Sequence, residues 1–579
     1  MGAKLPDELT DTLTGNKIVV FAGAGISKDA PSDLPLAAEL QDAIVDALLR
    51  RIHPPLGNNE RASALRKAVR STIPESLYQM LRDQLGTVAL RLLNSALSCG
   101  RPNWLHETLA RLADSQQVAA VITTNFDLHI ETAMAGSHRT VALVRSDADL
   151  QSLRPAGLPL IKIHGSIDEP ASIVTTLEQV GRGLTPPRSK VLKRLLRRHV
   201  FLFVGWSDSD IDLSPALMSG GRPFVWIQHD SGWNISAVTR AGLYGLRKPE
   251  EISVDALMRA HGGWIIRADT GAAVAALCRA FAIPVGRRKS CSATSEWRDR
   301  INAWADGLSP GQRLTAVAGI CDRLGYLRDA IRMYGHAERE FRSKRDRASV
   351  AGALWDRGIV LTRASQWARA SHSFLRAITI YEELGQSDFA IRARFDSVVI
   401  ALRQRRWDEV IGICRKALCH FKRSGNEDAV AHVCHNLGIA FSMIGHQRRA
   451  LLLWKLSERL HYRCGDLRGI AEVFTSMAGY HLRAGSPAEA LRYLLRAERL
   501  FARFGGEEEL AYVVAHRSSV LLKLNRPEEA LIVLGDAMER AAQSGNRWLT
   551  TALKRKLKQV QARVNSERVD NSRPEGRRV

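Results

Sequence analysis

The chain has 579 residues, a net charge of +23 and 45% hydrophobic residues, too long for one core and suited to about two to four domains. With 25% charged residues and no apolar run near the roughly eighteen residues a membrane span needs, a transmembrane protein is excluded. Acidic Asp7, Glu8 and Asp11 precede a first apolar run, Ile18–Ala22, too short for a secretory signal, so the expectation is a cytoplasmic protein with no membrane partner.

From Lys17 to about Ala268, short apolar runs alternate with longer mixed stretches. In chain order they are KIVVFAG (17–23), VAAVITTNFD (118–127), LPLIKIHGS (158–166), HVFLFVGWS (199–207), PFVWIQ (223–228) and GWIIRA (263–268). Near-continuous apolarity predicts strands buried on both faces, hence a mostly parallel sheet. Leu34–Ile52 and Ser76–Leu97 have helical spacing. The fold class expected for residues 1–285 is α/β, doubly wound and Rossmann-like, with ligands beyond the carboxyl ends of the strands.

Polar and glycine residues gather at those ends. The first run yields Gly23-Ala24-Gly25, the second Asn125 and Asp127, the third His164-Gly165-Ser166, and the fourth Gly205, Ser207 and Asp210. A glycine turn opening a helix would present bare amides to a pyrophosphate, with Gly23 and Gly25 allowing close backbone approach. The third glycine of a dinucleotide fingerprint is replaced by Lys28, and no Walker lysine-serine pair is present. Asn125 and Asp127 also suit an Asx turn or helix cap. His164, between an apolar strand and a Gly-Ser turn, suits general-base chemistry near neutral pH.

Residues 286–309, beginning GRRKSCSATSEW, read as a linker. Beyond it the pattern is wholly helical and repeats. Ala330, Ala370, Val410, Ala450, Ala490 and Ala530 stand 40 residues apart, and Ala337, Ala377, Ala417, Ser457, Ala497 and Ala537 follow one heptad later. Small residues a heptad apart allow close helix packing, so residues 310–565 are expected to form an all-α solenoid of helix hairpins. The basic tail 566–579 has little to bury and is expected to be disordered.

The eight cysteines include no Cys-x-x-Cys pair and no cluster with histidines at zinc spacing, so buried thiols and no metal are expected. The basic excess is spread along the chain, with concentrations at Arg188–Arg198, Arg287–Lys289 and from Lys554. No nucleic-acid motif accompanies it, and a solvated basic surface is the reading.

GAGIS, TTNFD, IHGS and GWS, in that order, resemble the NAD-binding motifs of the sirtuin superfamily over about residues 15–270. The repeats resemble tetratricopeptide repeats, with a period longer than the usual of about 34 residues. The first resemblance implies that Gly23, Ala24, Gly25, Ile26 and Ser27 hold NAD phosphates. It makes Asn125 and His164 the catalytic pair. Asp127, Gly165, Gly205, Ser207 and Asp210 then complete the cofactor-binding set. Deacylating sirtuins carry a small zinc module after the histidine. Here no cysteine lies between Cys99 and Cys278, and the segment IVTTLEQV (173–180) looks like the zinc-free, defence-associated bacterial branch. The implied activity is NAD hydrolysis to nicotinamide and ADP-ribose, without metal, under control of a protein trigger or partner bound by the repeats. Protein ADP-ribosyl transfer, deacylation and a non-enzymatic NAD-binding scaffold are the alternatives, and homo-oligomerisation stays open.

Overall fold

Every residue of β1 (Ile18–Ala22) is buried because this strand has a core on each face. Ile18, Val20 and Ala22 enter one apolar cluster with Leu109, Leu112 and Val274. Val19 and Phe21 enter another with Leu196, Phe203 and Trp226. A strand whose alternate residues serve two cores must be apolar throughout. The structure, a computed structural model, describes residues 4–52, 59–152, 157–207, 210, 212–218, 221–240, 254–286, 295–504, 507–543 and 547–571.

The remaining strands are β2 (Val118–Thr123), β3 (Val141–Val144), β4 (Leu158–Lys162), β5 (Val200–Val204), β6 (Phe224–His229), β7 (Trp233–Val238) and β8 (Gly263–Ala268). They form one sheet in the order β3-β4-β2-β1-β5-β6-β8-β7. All neighbours are parallel except β7 and β8. This is a doubly wound, mostly parallel α/β module. From β1 the chain adds β2, then the edge strand β3, then β4 between β2 and β3, and crosses to β5 on the other side of β1. The carboxyl ends of β4, β2, β1 and β5 are therefore adjacent, with the change of direction at the β1–β5 boundary, where open α/β sheets bind ligands.

Two strands escaped the apolar-run pattern. β3 and β7 are the sheet edges, and both are largely half-buried or exposed, so neither has the signature of a strand covered on two faces. The helical stretch expected at Ser76–Leu97 divides into Pro74–Leu85 and Thr87–Leu97 at Gly86, whose φ is +58°. That left-handed conformation ends the first helix.

The chain divides into two compact units, Met1–Ala47 with Val69–Leu308, and Leu48–Ala68 with Ser309–Val579. The stretch read as a linker contains a helix, Glu296–Gly307, whose Trp297, Ile301 and Ala305 are buried and which belongs to the first unit. Residues 48–68, expected with the sheet, belong to the second unit, where Arg61 pairs with Asp329 at 3.2 Å.

In the second unit, helices begin at Leu327, Trp367, Trp407, Gln447, Pro487 and Pro527, each 40 residues after the last. Their partners begin at Arg347, Ser387, Glu427, Leu467, Glu507 and Arg547. The small residues from Ala330 to Ala530 and from Ala337 to Ala537 are all buried, as close helix packing requires. The turns follow one plan. Arg345, Ser365, Gly385, Arg405, Gly425, Gly445, Gly465 and Asn525 have positive φ. At Arg345, its N–H donates to the Arg342 carbonyl and that of Asp346 to the Phe341 carbonyl, both at 3.0 Å. This Schellman ending recurs every 20 residues, as at Gly465 and Asp466. The long period thus lies in the helices, most of them 17 residues long.

The last helix runs to Asn571, into the stretch expected to be disordered; residues 572–579 lie outside the described residues. Cys419 is exposed and Cys464 half-buried, whereas Cys99, Cys278, Cys321, Cys414 and Cys434 are buried as expected; Cys291 lies outside the described residues. Among the described residues no helix is long and apolar enough to cross a membrane.

Candidate functional site

The ends of β1 and β5 interlock. The Gly23 N–H donates to the Val204 carbonyl at 2.9 Å and the Gly25 N–H to the Gly205 carbonyl at 2.8 Å. A Cβ on Gly23 would lie 2.6 Å from the Gly205 oxygen, and one on Gly25 would lie 2.9 Å from Gly205 Cα. Gly205 itself has φ +63°. The glycines thus let two backbones meet. This corrects the expected turn, in which their amides faced a ligand from a helix N-terminus. The turn instead enters a four-residue 3-10 helix, Ala24–Ser27, and the next α-helix starts only at Ala37. The Ile26 N–H is also engaged, by the Gly23 carbonyl at 3.2 Å. Ala24 is exposed and Ile26 fully buried.

Asn125, just beyond β2, is buried against this turn. Its Nδ2 donates to the Gly23 carbonyl at 3.3 Å and to Ser27 Oγ at 3.4 Å. Among the described residues its Oδ1, which is buried, has no hydrogen-bond partner. A buried carbonyl oxygen left unpaired costs about 1–3 kcal/mol.

Ser27 and Asp127 belong to a buried network beneath the turn. Ser27 Oγ donates to Asp127 Oδ2 at 3.1 Å and lies 3.1 Å from His106 Nε2. Asp127 Oδ1 also accepts from the His129 N–H at 3.0 Å, an Asx-type turn ahead of the helix His129–Met134. Burial lowers His106 to about 4, against the attraction of Asp127, and keeps it neutral near pH 7. Lys162, fully buried in β4, fixes the same loop by donating to the Asp127 carbonyl and pairing with Glu131 at 2.5 Å.

His164 follows β4 and is buried beside three carboxyl groups. Its Nε2 is 3.2 Å from both carboxylate oxygens of Asp212, and its Nδ1 is 3.7 Å from Asp210 Oδ1. Asp210 Oδ2 accepts from Trp206 Nε1. Burial disfavours the imidazolium, but Asp212 and Asp210 outweigh it and raise His164 to about 9. Burial raises Glu75 to about 7, with Asp210 and Asp212 adding to the rise and His164 opposing it. Burial also raises Asp210, again opposed by His164. The protonation of His164 is therefore coupled to that of Asp210 and Glu75. Gly165, at φ +89°, turns the chain immediately after the histidine, and a Cβ there would collide with the Ser172 backbone.

The structure thus brings Asn125, Ser27 and Asp127 to the glycine turn, and His164 to Asp210. Ser207 is exposed. Asp212, Glu75 and His106 were not singled out in the sequence. Asp212 could have been found from the acidic pair Asp210/Asp212 in the DSDIDL stretch; Glu75 and His106 sit in helices that look ordinary.

Residues 119–219, from β2 through His164 to beyond Asp212, match the family model of a SIR2-like domain. The chain carries a SIR2-like domain. The match supports an NAD-dependent enzyme and NAD as the molecule that this SIR2-like domain uses. No curated protein matches the chain. Among solved structures it is similar to a Rap protein complexed with Competence and Sporulation Factor, at 15% identity over 47% of this chain and 82% of that one, with a TM-score of 0.34. It is also similar to the Rap conjugation gene regulator of plasmid pLS20 in complex with the Phr* peptide, at 13% identity over 51% of this chain and 90% of that one, with a TM-score of 0.33. A third is the apo quorum sensor NprR from B. thuringiensis, at 13% identity over 44% and 74%, with a TM-score of 0.32. The repeat assignment itself rests on helix starts, buried register positions and turns.

Proposed function

We propose that the SIR2-like domain hydrolyses NAD to nicotinamide and ADP-ribose, with Asn125 and His164 as its catalytic residues. The observation that carries this reading is the buried Oδ1 of Asn125 beside the glycine turn, unpaired among the described residues. It is an acceptor placed to orient a ribose hydroxyl or an attacking water. Nicotinamide leaves with the electron pair of its bond to ribose C1′, which becomes cationic, as in other glycosyl transfers. Water adds its oxygen to C1′ and loses one proton, so NAD and water give nicotinamide, ADP-ribose and a proton. His164, in the neutral form that has already released its own proton to solvent, accepts that proton and passes it on to solvent, beside the carboxyl groups of Asp210, Asp212 and Glu75. Positioning and proton transfer together supply the rate gain, and these steps use side chains and water alone.

Gly23, Ala24, Gly25, Ile26, Gly165, Gly205 and Ser207 then shape the NAD crevice, most of them by setting the backbone rather than by lending amides. The repeats bind a protein trigger or partner, which fits an enzyme whose unrestrained activity would exhaust cellular NAD. The resemblance to defence-associated NAD hydrolases extends the proposal to an antiphage effector. The test is to incubate the purified chain with NAD, with and without candidate triggers, and to follow nicotinamide and ADP-ribose. Equal amounts of both, with no ADP-ribose on protein, support hydrolysis. Nicotinamide matched by protein-bound ADP-ribose identifies transfer instead.

A further inference from the structure

A second group of polar residues lies in the middle of the repeats, within the second unit. Asp428 and His432 stand one turn apart on the helix Glu427–Met443, His461 lies near the end of Gln447–Cys464, and Asp466 precedes Leu467–Arg483. One ligand atom from each falls within 4.8 Å of all the others. Asp466 Oδ2 is 2.9 Å from His461 Nδ1 and 3.3 Å from His432 Nε2, while Asp466 Oδ1 accepts from the Gly469 N–H at 2.9 Å.

His461 is the informative member. Its register in the other repeats is held by Phe341, Tyr381, Phe421 and Phe501, all buried aromatics, with the small Ala541 in the last. His461 is buried to 0% exposure; its Nδ1 meets only Asp466 Oδ2, at 2.9 Å, and among the described residues its Nε2 has no hydrogen-bond partner. An imidazole in place of a core aromatic, with Nδ1 on a carboxylate and Nε2 unpaired, recovers only part of the polar solvation it loses. The Schellman turn places it beside Asp466, where such turns usually bring two apolar side chains together. Gly469 keeps the space open, since a Cβ there would collide with both Asp466 Oδ2 and the His461 ring. The neighbouring His435 is already satisfied by Ser476 Oγ at 2.8 Å and is not part of the group.

We propose that Asp428, His432, His461 and Asp466 form a binding site for a divalent first-row transition ion, of which zinc suits the ligands best. Two neutral imidazoles and two carboxylates balance the charge of such an ion, and four ligands from nitrogen and oxygen are a set that zinc accepts. The ion joins three consecutive helices and so ties one hairpin to the next. Spacing along the sequence did not reveal it, because the ligands come from three helices and include no cysteine.

The test uses the full chain, stripped with chelator, dialysed and titrated with zinc chloride by calorimetry; cobalt(II) serves as an optical probe of the same site. One equivalent of zinc should bind to the wild type. Binding should weaken at least tenfold in His461→Phe, which restores the aromatic of the other repeats, and in Asp428→Asn at an exposed position. Circular dichroism checks that each variant folds, and if His461→Phe does not, Asp428→Asn and His432→Gln decide. No stoichiometric binding by the wild type, or unchanged binding in the folded variants, overturns the site.

Discussion

His164 Nε2 lies 3.2 Å from each carboxylate oxygen of Asp212, and both side chains are buried. This pairing makes the histidine a cation at neutral pH, with its ionisation near 9. If deprotonated His164 is the base, kcat/KM for NAD should rise with pH towards about 9. Asp212→Asn removes one attracting charge and should move that rise down by about 1–3 pH units, with a lower plateau. A pH–rate profile of both proteins checks this, and an unmoved profile in the variant denies Asp212 its role.

The same pair affects stability. Because folding raises the ionisation of His164 above its ordinary 6.5, the folded state binds the proton more tightly. Its stabilising contribution is complete below about 6.5 and is lost as pH rises through about 9. Glu75, raised to about 7, acts with the same sign over a lower range. Urea unfolding between pH 6 and 10 should show falling stability in the wild type and a shallower fall in His164→Gln.

Gly25 tests whether the turn between β1 and β5 shapes the NAD crevice. Valine at this position would press its Cβ on Gly205 Cα, an overpacking that costs about 1–3 kcal/mol. Gly25→Val should therefore melt at a lower temperature and bind NAD more weakly. Calorimetry showing weaker binding with unchanged melting would point to direct ligand contact instead; both unchanged would remove the turn from the site.

The strand ends were legible because chemistry gathers there. GAGIS, TTNFD, IHGS and GWS each end an apolar run, and the topology sets those four runs side by side. What the sequence could not show was who uses the amides. Gly23 and Gly25 look the same whether they face a phosphate or another backbone, and here their N–H groups meet Val204 and Gly205. Asp212, Glu75 and His106 were missed because no periodicity marks a charged residue that packs inward. In the repeats, buried alanines and turns at fixed intervals made the register readable. His461 broke the aromatic register openly, but its partners become visible only when three helices are brought together.

Control by the repeats predicts that trigger-dependent NAD loss in cells needs residues 310–565. Deleting them also removes the packing partners of Leu48–Ala68, including Asp329 for Arg61. A full-length variant with substitutions on exposed repeat residues such as Leu375, Leu452 and Ile532 is therefore the cleaner companion. Loss of the trigger response in the truncation, with an intact fold in the companion, supports the division of labour. An equal response from full-length and truncated chains places sensing elsewhere.

The central claim is tested most directly by nicotinamide release from NAD by activated wild type, Asn125→Ala and His164→Ala, with the fold of each checked by circular dichroism. Removing the Asn125 acceptor or the His164 imidazole should lower the rate by about 10²–10⁴-fold in each variant. Equal amounts of nicotinamide and free ADP-ribose should form in the wild type. Wild-type rates of release from either folded variant would contradict the account.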